Sequence, residues 1–573
     1  MSSVSTIQYA HTDVLTIGSL VESIGVYLQQ HELFGTFVQV NKCINQILQN
    51  SKCIATQFEF QIKTGTELRF GMPGRICMNL TDINKFYKTY MKKIQIFPRK
   101  SLLLEEESKY KEYTNITKIF AAFFSDLHGP TETQYFSCLC ELNIYNVHLD
   151  LLILHMTINR ITSLKKIVLS HVVNDKKRIC RELCFSPTNN IEHIEIVNTE
   201  IYKISGFLQK LKTLVLAECP ELKYIDCEFY ELKMFILAEC EFLINPNAQV
   251  NKILSNLENL ITIQIVSDGL LNAHCLKSYT GSKLEFLYIS VSNGNNTNDL
   301  DIEESNKIYA ELIKNNSQLE DVHIEDHSIN SDIFNHLSKL ECLTRVYLES
   351  DKIDSVFGVF LKLKYLCVDM GHNELKFLGG VFLSLNVLFL NISNIQTIDP
   401  ELDLASLVSL KIGKQLTKDK DHSQYTNDML FNPESLTSVL KGCPNLTKLV
   451  IPNINVTDKV LTTIQNTCKK LEYFDITNCN TPTESVFKFF IDNTALKSIN
   501  ISNVHTEDMF YFNTLKYLQS KKINTDKCFE CCYDCEQHKC ETCDNIHRNC
   551  SCCQKCGAPS GYFCDCYHEY DSD

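Results

Sequence analysis

GCPNLTKLVIPNINVTDKVLTTIQNTCKKLEYFDITNCN runs from Gly442 to Asn480. One short pattern occurs twice in it, as LTKLVI from Leu446 and LEYFDI from Leu471, 25 residues apart. The pattern is apolar, two variable, apolar, one variable, apolar. Alternation of this kind predicts a short strand with one buried face. The residues between the two copies have to carry the chain back, through a helix or a 3₁₀ turn, to the start of the next strand. One such unit cannot bury its apolar face alone, so the reading requires more copies stacked on both sides.

The copies are present. Working outward, the pattern starts at Leu139, Leu164, Ile191, Leu211, Leu232, Leu260, Leu284, Leu319, Leu343, Leu363, Leu385, Leu407, Leu446, Leu471 and Leu496. IEHIEI, LKTLVL, LKMFIL, LEFLYI, LTRVYL, LNVLFL and LKSINI are among its forms. Most intervals fall between 20 and 28 residues. Two are longer, 35 after Leu284 and 39 after Leu407, and they hold the polar tracts VSNGNNTNDLDIEESN and KQLTKDKDHSQYTND. Both tracts are expected to be surface loops.

These motifs resemble leucine-rich repeats over residues 116–518. The last ones resemble the cysteine-containing subclass, with Val456, Thr457 and Asp458 at its (V/I)TD positions and Cys479 at its cysteine position. Cys219 and Cys240 occupy the same place in earlier copies and read as small buried packing residues. The resemblance implies an α/β solenoid, a leucine-rich-repeat horseshoe with parallel strands on its concave side. Variable strand positions should face out of that side. Phe286, Tyr288, Arg345, Tyr347, Tyr365, Phe389 and Tyr473 are the candidate partner-binding residues, set among Glu192, Glu195, Glu320, Asp321 and Lys448. Tyr and Phe offer large contact area at small entropic cost, which suits a protein partner.

Residues 14–52 read differently. Leu20, Val21, Ile24, Tyr27 and Leu28 share one helical face, and apolar groups follow around Leu33 and Phe37 and then at Val40, Ile44, Ile47 and Leu48. Three short helices around a small core fit this spacing. The order resembles an F-box: an apolar pair, Ile, Tyr-Leu, Glu32–Leu33, Val40 and Lys42 fall at the expected places. It departs from the family where Thr16 and Ile17 replace the Leu-Pro opening and Ile44 replaces the usual Trp. F-box proteins often carry leucine-rich repeats immediately downstream. The resemblance therefore implies a substrate receptor of a Skp–cullin–F-box ubiquitin ligase, with Leu20, Val21, Ile24, Tyr27, Leu28 and Leu33 contacting a Skp-type adaptor. A generic helical cap for the solenoid is the alternative. In residues 53–115, which carry no functional assignment, TQFEFQIKTGTELRFG reads as a strand pair and KFYKTYMKKIQIFPRK as a basic helix.

The last segment, 528–573, is rich in cysteine and poor in apolar residues, so it cannot fold on a core of its own. Its candidate metal ligands are Cys528, Cys531, Cys532, Cys535, Cys540, Cys543, Cys550, Cys552, Cys553, Cys556, Cys564 and Cys566, with His538, His547 and His568 in addition. CxxC pairs wrap two thiolates around one tetrahedral ion, and about two to three structural zinc ions would supply the folding energy. CQKCGAPSGYFCDC resembles a zinc knuckle. A second partition, through Cys528, Cys531, Cys543, His547, Cys550, Cys553, Cys564 and Cys566, approximates a RING pattern and would make the tail a ligase in its own right. A disordered thiol-rich tail, a metallothionein-like cluster and disulfides are the remaining readings.

Composition narrows the classes further. The N-terminus lacks the basic start and apolar core of a signal peptide, and no run of apolar residues is long enough for a membrane span. A cytoplasmic or nuclear location is expected, where clustered cysteines bind metal. The net charge of −14 opposes binding to nucleic acid. No phosphate loop, dinucleotide fingerprint, zincin, nucleophile elbow or kinase signature occurs, so a non-catalytic scaffold is expected. A leucine-rich-repeat scaffold with a zinc-stabilised tail and no link to ubiquitin is the competing function.

Overall fold

The computed structural model describes residues 139–500, short stretches excepted, together with the strands Glu59–Lys63, Arg69–Phe70, Lys93–Phe97 and Asn524–Thr525. The helical segment at 14–52 and the cysteine-rich tail at 528–573 lie outside the described residues. The chain divides into two compact units, Met1–Ser292 and Asn293–Asp573.

Every one of the fifteen motif starts is followed, two residues on, by the first residue of a strand. In the first unit the strands Glu141–Leu149, Lys166–Asn174, His193–Val197, Thr213–Ala217, Met234–Ala238, Thr262–Ser267 and Phe286–Val291 pair in sequence order, all parallel. In the second the order is Asp321–Glu325, Arg345–Glu349, Tyr365–Asp369, Val387–Asn391, Ser409–Ile412, Lys448–Val450, Tyr473–Asp475, Ser498–Asn500 and Asn524–Thr525, again parallel. Leu211, Leu214 and Leu216 show how the motif works: its three apolar positions are all buried. Burial of one such side chain is worth about 1.5–3 kcal/mol. Their counterparts in neighbouring repeats stack on them, so each core is a continuous run through its unit.

The chain returns from strand to strand in two ways. Repeats of 24 residues or more mostly use a helix, as in Leu151–Arg160, Pro246–Leu254, Asp458–Thr467 and Thr483–Asp492. Five repeats of 20–22 residues, starting at 191, 211, 343, 363 and 385, return through a second strand instead, as does the 27-residue repeat starting at 164. Thus Glu182–Phe185, Lys203–Leu208 and Tyr224–Phe229 form a three-stranded parallel sheet in the first unit. Ser355–Val356, Glu374–Leu378 and Asn394–Ile398 form another in the second unit. A short repeat leaves too few residues for two helical turns, and an extended return spans the same distance with fewer. Gly206 lies at such a return, with φ +116°; a Cβ there would sit 2.2 Å from the Phe185 carbonyl oxygen, so the two backbones touch.

Three expectations change. KIQIF, inside the stretch read as a basic helix, is the strand Lys93–Phe97, parallel to Glu59–Lys63 and to Glu141–Leu149. Its Ile-x-Ile alternation outweighs the helical character of the lysines before it. The polar tract after Leu284 is only partly loop, because Asp299–Asn315 is a helix. Ile308, Tyr309, Leu312 and Ile313 form its buried face, hidden in sequence by the charged residues around them. The short repeats, finally, do not return by helix or 3₁₀ turn. The strand pair read at TQFEFQIKTGTELRFG is present, with Arg69–Phe70 antiparallel to Glu59–Lys63. The tract KQLTKDKDHSQYTND lies outside the described residues.

Cys219, Cys240 and Cys479 are buried, each with its thiol directed at a carbonyl oxygen of the preceding repeat: Ile196 at 3.6 Å, Leu216 at 3.8 Å and Ile451 at 2.8 Å. Among the described residues no helix is long and apolar enough to cross a membrane.

Candidate functional site

Alternation along each strand turns one set of side chains into the core and the other out of the sheet. Parallel in-register pairing then lines up the outward set in columns that run across successive strands. All seven candidate partner-binding residues fall on these outward positions.

Phe286 and Tyr288 belong to the first unit, at the first and third positions of the strand Phe286–Val291, opposite Thr262 and Gln264. Phe286 is 41 % exposed. The outward residues of the preceding strands, Val215, Ala217, Ile236 and Ala238, are small or aliphatic and half-buried. Near the other end, the His193 imidazole lies 3.5 Å from Glu195, and burial holds its pKa below the ordinary histidine value. Glu192 precedes its strand and pairs there with Lys165 at 3.1 Å and Lys212 at 2.6 Å, so it belongs to the rim.

The second unit carries the richer surface. Its first column runs Asp321, Arg345, Tyr365, Val387, Ser409, Lys448, Tyr473. Its second runs His323, Tyr347, Cys367, Phe389, Lys411, Val450, Asp475. Its third begins Glu325, Glu349, Asp369, Asn391.

Neighbours in these columns touch. The Tyr347 ring stacks on His323, with centroids 4.1 Å apart and planes 7° from parallel. The Lys411 ammonium sits 4.4 Å from the centre of the Phe389 ring, and that of Lys448 sits 4.9 Å from the centre of Tyr473. Arg345 lies 3.7 Å from Asp321. Cys367, opposite Tyr347 and Phe389 in the register, is fully buried although it faces outward, and its thiol shares a hydrogen bond with Tyr365. Burial drives its thiol pKa up, which keeps it protonated.

Each carboxylate of the third column has a donor. His323 meets Glu325 at 2.7 Å, the Tyr347 hydroxyl donates to Glu349 at 3.0 Å, and the Asn391 amide donates to Asp369 at 2.8 Å. Burial raises the Glu349 pKa; the Tyr347 hydrogen bond opposes this, and the charges of Asp369 and Glu325 add to it. Burial lowers that of Lys411 and raises that of Asp321. The face therefore offers aromatic area edged by the Glu325–Glu349–Asp369 carboxylates, with Lys411, Lys448 and Asp475 further along, an arrangement for contact.

Sequence reading missed His323, Glu325, Glu349, Asp369 and Lys411. Glu325, Glu349 and Asp369 follow the last apolar residue of the motif and so look like loop. The available signal was that all three are acidic at one repeat position.

The candidate adaptor contacts Leu20, Val21, Ile24, Tyr27, Leu28 and Leu33 lie outside the described residues, as do the twelve candidate zinc ligands from Cys528 to Cys566. Among the described residues no cluster of His, Cys, Asp and Glu is arranged to hold a metal ion.

Neither a protein-family model nor a curated protein sequence matches the chain. Solved structures with some similarity include a Bacteroides fragilis protein, at 17 % identity and TM-score 0.23, covering 42 % of this chain and 65 % of that one. The yeast Rad7–Elc1 complex matches at 14 % identity and TM-score 0.24, covering 65 % and 89 %. The Arabidopsis receptor kinase HAESA leucine-rich-repeat ectodomain, solved with a peptide hormone, matches at 12 % identity and TM-score 0.22, covering 67 % and 76 %. At these scores neither fold nor activity follows from the likeness. The solenoid is established by the chain's own parallel ladders.

Proposed function

We propose that this chain is a protein-binding scaffold that acts as the substrate receptor of a Skp–cullin–F-box ubiquitin ligase. The observation that carries the reading is the order of two elements: an F-box-like pattern at Leu20–Leu48, then a long leucine-patterned solenoid. Partly exposed aromatic side chains along the outward strand positions support the binding half of the reading. Tyr347, Tyr365, Phe389 and Tyr473 are half-buried, which leaves area to desolvate against a partner. In this scheme Leu20, Val21, Ile24, Tyr27, Leu28 and Leu33 seat a Skp-type adaptor, and the solenoid holds the substrate near the ubiquitin-loaded enzyme. The contribution to rate is proximity. The tail binds structural zinc through the cysteines from Cys528 to Cys566.

Affinity purification of the tagged chain from its native cells, beside a form lacking residues 15–50, tests the reading. A Skp-type adaptor and a cullin should accompany the intact chain alone. Recovery of neither would leave the scaffold without a link to ubiquitin. Autoubiquitination by the purified full chain, lost on zinc removal without any adaptor present, would favour the RING-like tail instead.

A further inference from the structure

The third column of the second unit places Glu325 directly opposite Glu349, and Glu349 directly opposite Asp369. Adjacent strands lie about 4.8 Å apart. Like charges placed opposite one another on neighbouring strands are destabilising. The donors to Glu349 and Asp369 are neutral, being a phenol, a side-chain amide and the Gly371 backbone amide at 3.0 Å, while His323 bonds to Glu325 at 2.7 Å. Three acidic side chains thus stand side by side, two of them with neutral donors. Beside them lies the flat His323–Tyr347 stack, and Tyr365 stands in the next strand. Further along the same face Lys411 lies over Phe389 and Lys448 over Tyr473, with Asp475 beside them.

We propose that the outward strand face of the second unit binds a protein segment through a Lys or Arg side chain laid over the Glu325–Glu349–Asp369 column. The aliphatic stem of that side chain packs on Tyr347 and Tyr365, and the cation completes the charge balance of the column. Lys411 and Lys448 stand further along the face with Asp475 beside them, so the basic residue of the partner is placed at the Glu349 end, where the three carboxylates are adjacent. This assignment rests on the reading of the strand face as the partner surface.

Random peptides displayed on phage and selected on the full-length protein supply the probe. Selected peptides, synthesised with a fluorophore, are then titrated by anisotropy. The expected result is enrichment of peptides with a Lys or Arg beside apolar residues. Their affinity should fall at least about tenfold in an E349Q/D369N double variant, and should weaken with added salt. An E374Q/E401Q variant removes two exposed carboxylates away from this face and should bind as the parent does, which excludes attraction to net charge alone. Thermal melting verifies that the near-isosteric variants are folded. Neutral or acidic selected peptides whose binding is lost in a Y347A variant would overturn the basic class while leaving the strand face as the partner surface. Peptides indifferent to E349Q/D369N and to Y347A, or no enrichment over uncoated support, would overturn both.

Discussion

Tyr347 lies flat against His323, ring centres 4.1 Å apart, while each of the two also bonds to a carboxylate two residues further along its own strand: Glu349 for the tyrosine, Glu325 for the histidine. Two adjacent repeats thereby fix a rigid aromatic platform and the charges at its edge together. A platform held in place before a partner arrives loses little entropy when the partner binds.

Replacing Tyr347 with Ala removes the stack and the hydrogen bond to Glu349. Such an aromatic pair contributes about 0.5–1.5 kcal/mol beyond the area it buries, and the lost area and hydrogen bond add to it, so the unfolding free energy should fall by about 2–3 kcal/mol. Partner affinity should fall by about thirtyfold, as expected for a central aromatic anchor. Denaturant unfolding and peptide anisotropy on the same sample read the two effects separately. Lost stability with unchanged affinity would mean that Tyr347 only supports the fold.

Gly206 and Gly371 both have positive φ, but their surroundings differ. A Cβ at Gly206 meets the Phe185 carbonyl oxygen at 2.2 Å, whereas one at Gly371 meets nothing within 4 Å. G206A should therefore cost about 3 kcal/mol or more, and G371A only the left-handed strain of about 1 kcal/mol. Thermal melts of the two variants check the difference.

Cysteine labelling should map the cores. Cys184 is exposed, while Cys219, Cys275, Cys443, Cys468 and Cys479 are buried. Burial pushes the thiols of Cys468 and Cys479 up to about 12, which suppresses the reactive thiolate. Brief iodoacetamide treatment, read site by site by mass spectrometry, should modify Cys184 in the native protein and the buried set only in denaturant.

Stability should fall in mild acid. Burial holds His155, His193 and His336 below the ordinary histidine pKa, and the neutral His155 Nδ1 accepts the Cys184 amide at 3.2 Å. The unfolded chain then binds more protons than the folded one, so stability rises with pH across the gap. The contribution is complete above about pH 6.5 and is lost as pH falls below it. Melting temperatures across that range should decline, and H155Q should flatten the decline.

Zinc removal should act on the tail alone. The purified chain should carry about two to three zinc ions, released by chelator. The cooperative melting of the solenoid should be unchanged, because none of its described residues forms a metal cluster. A chain that purifies without zinc under reducing conditions would contradict the assignment of the cysteines.

The leucine spacing made the strands legible because three apolar residues per repeat are enough to define a buried face. What lay between the strands was not equally legible. KISGFL and YIDCEF are strands because their repeats are too short for a helix, a property of interval length that the residues themselves do not carry. The helix at Asp299–Asn315 was hidden by Asp301, Glu303 and Glu304, which interrupt its apolar residues before the buried face from Ile308 to Ile313. Tyr347 and Phe389 could be picked from the motif, since they fall inside it. Glu325, Glu349 and Asp369 become neighbours through strand register, which shows in the sequence only when the repeats starting at 319, 343 and 363 are set one above another.

The central claim is tested most directly by titrating a purified Skp-type adaptor into the full-length protein, and into a variant with Leu20, Ile24 and Tyr27 replaced by Ala, by calorimetry. The account predicts saturable binding of one adaptor to the parent chain and none to the variant. Failure of the parent to bind would contradict it, and so would equal binding by the variant. In the first case residues 14–52 would be a cap for the solenoid; in the second the adaptor would be held elsewhere.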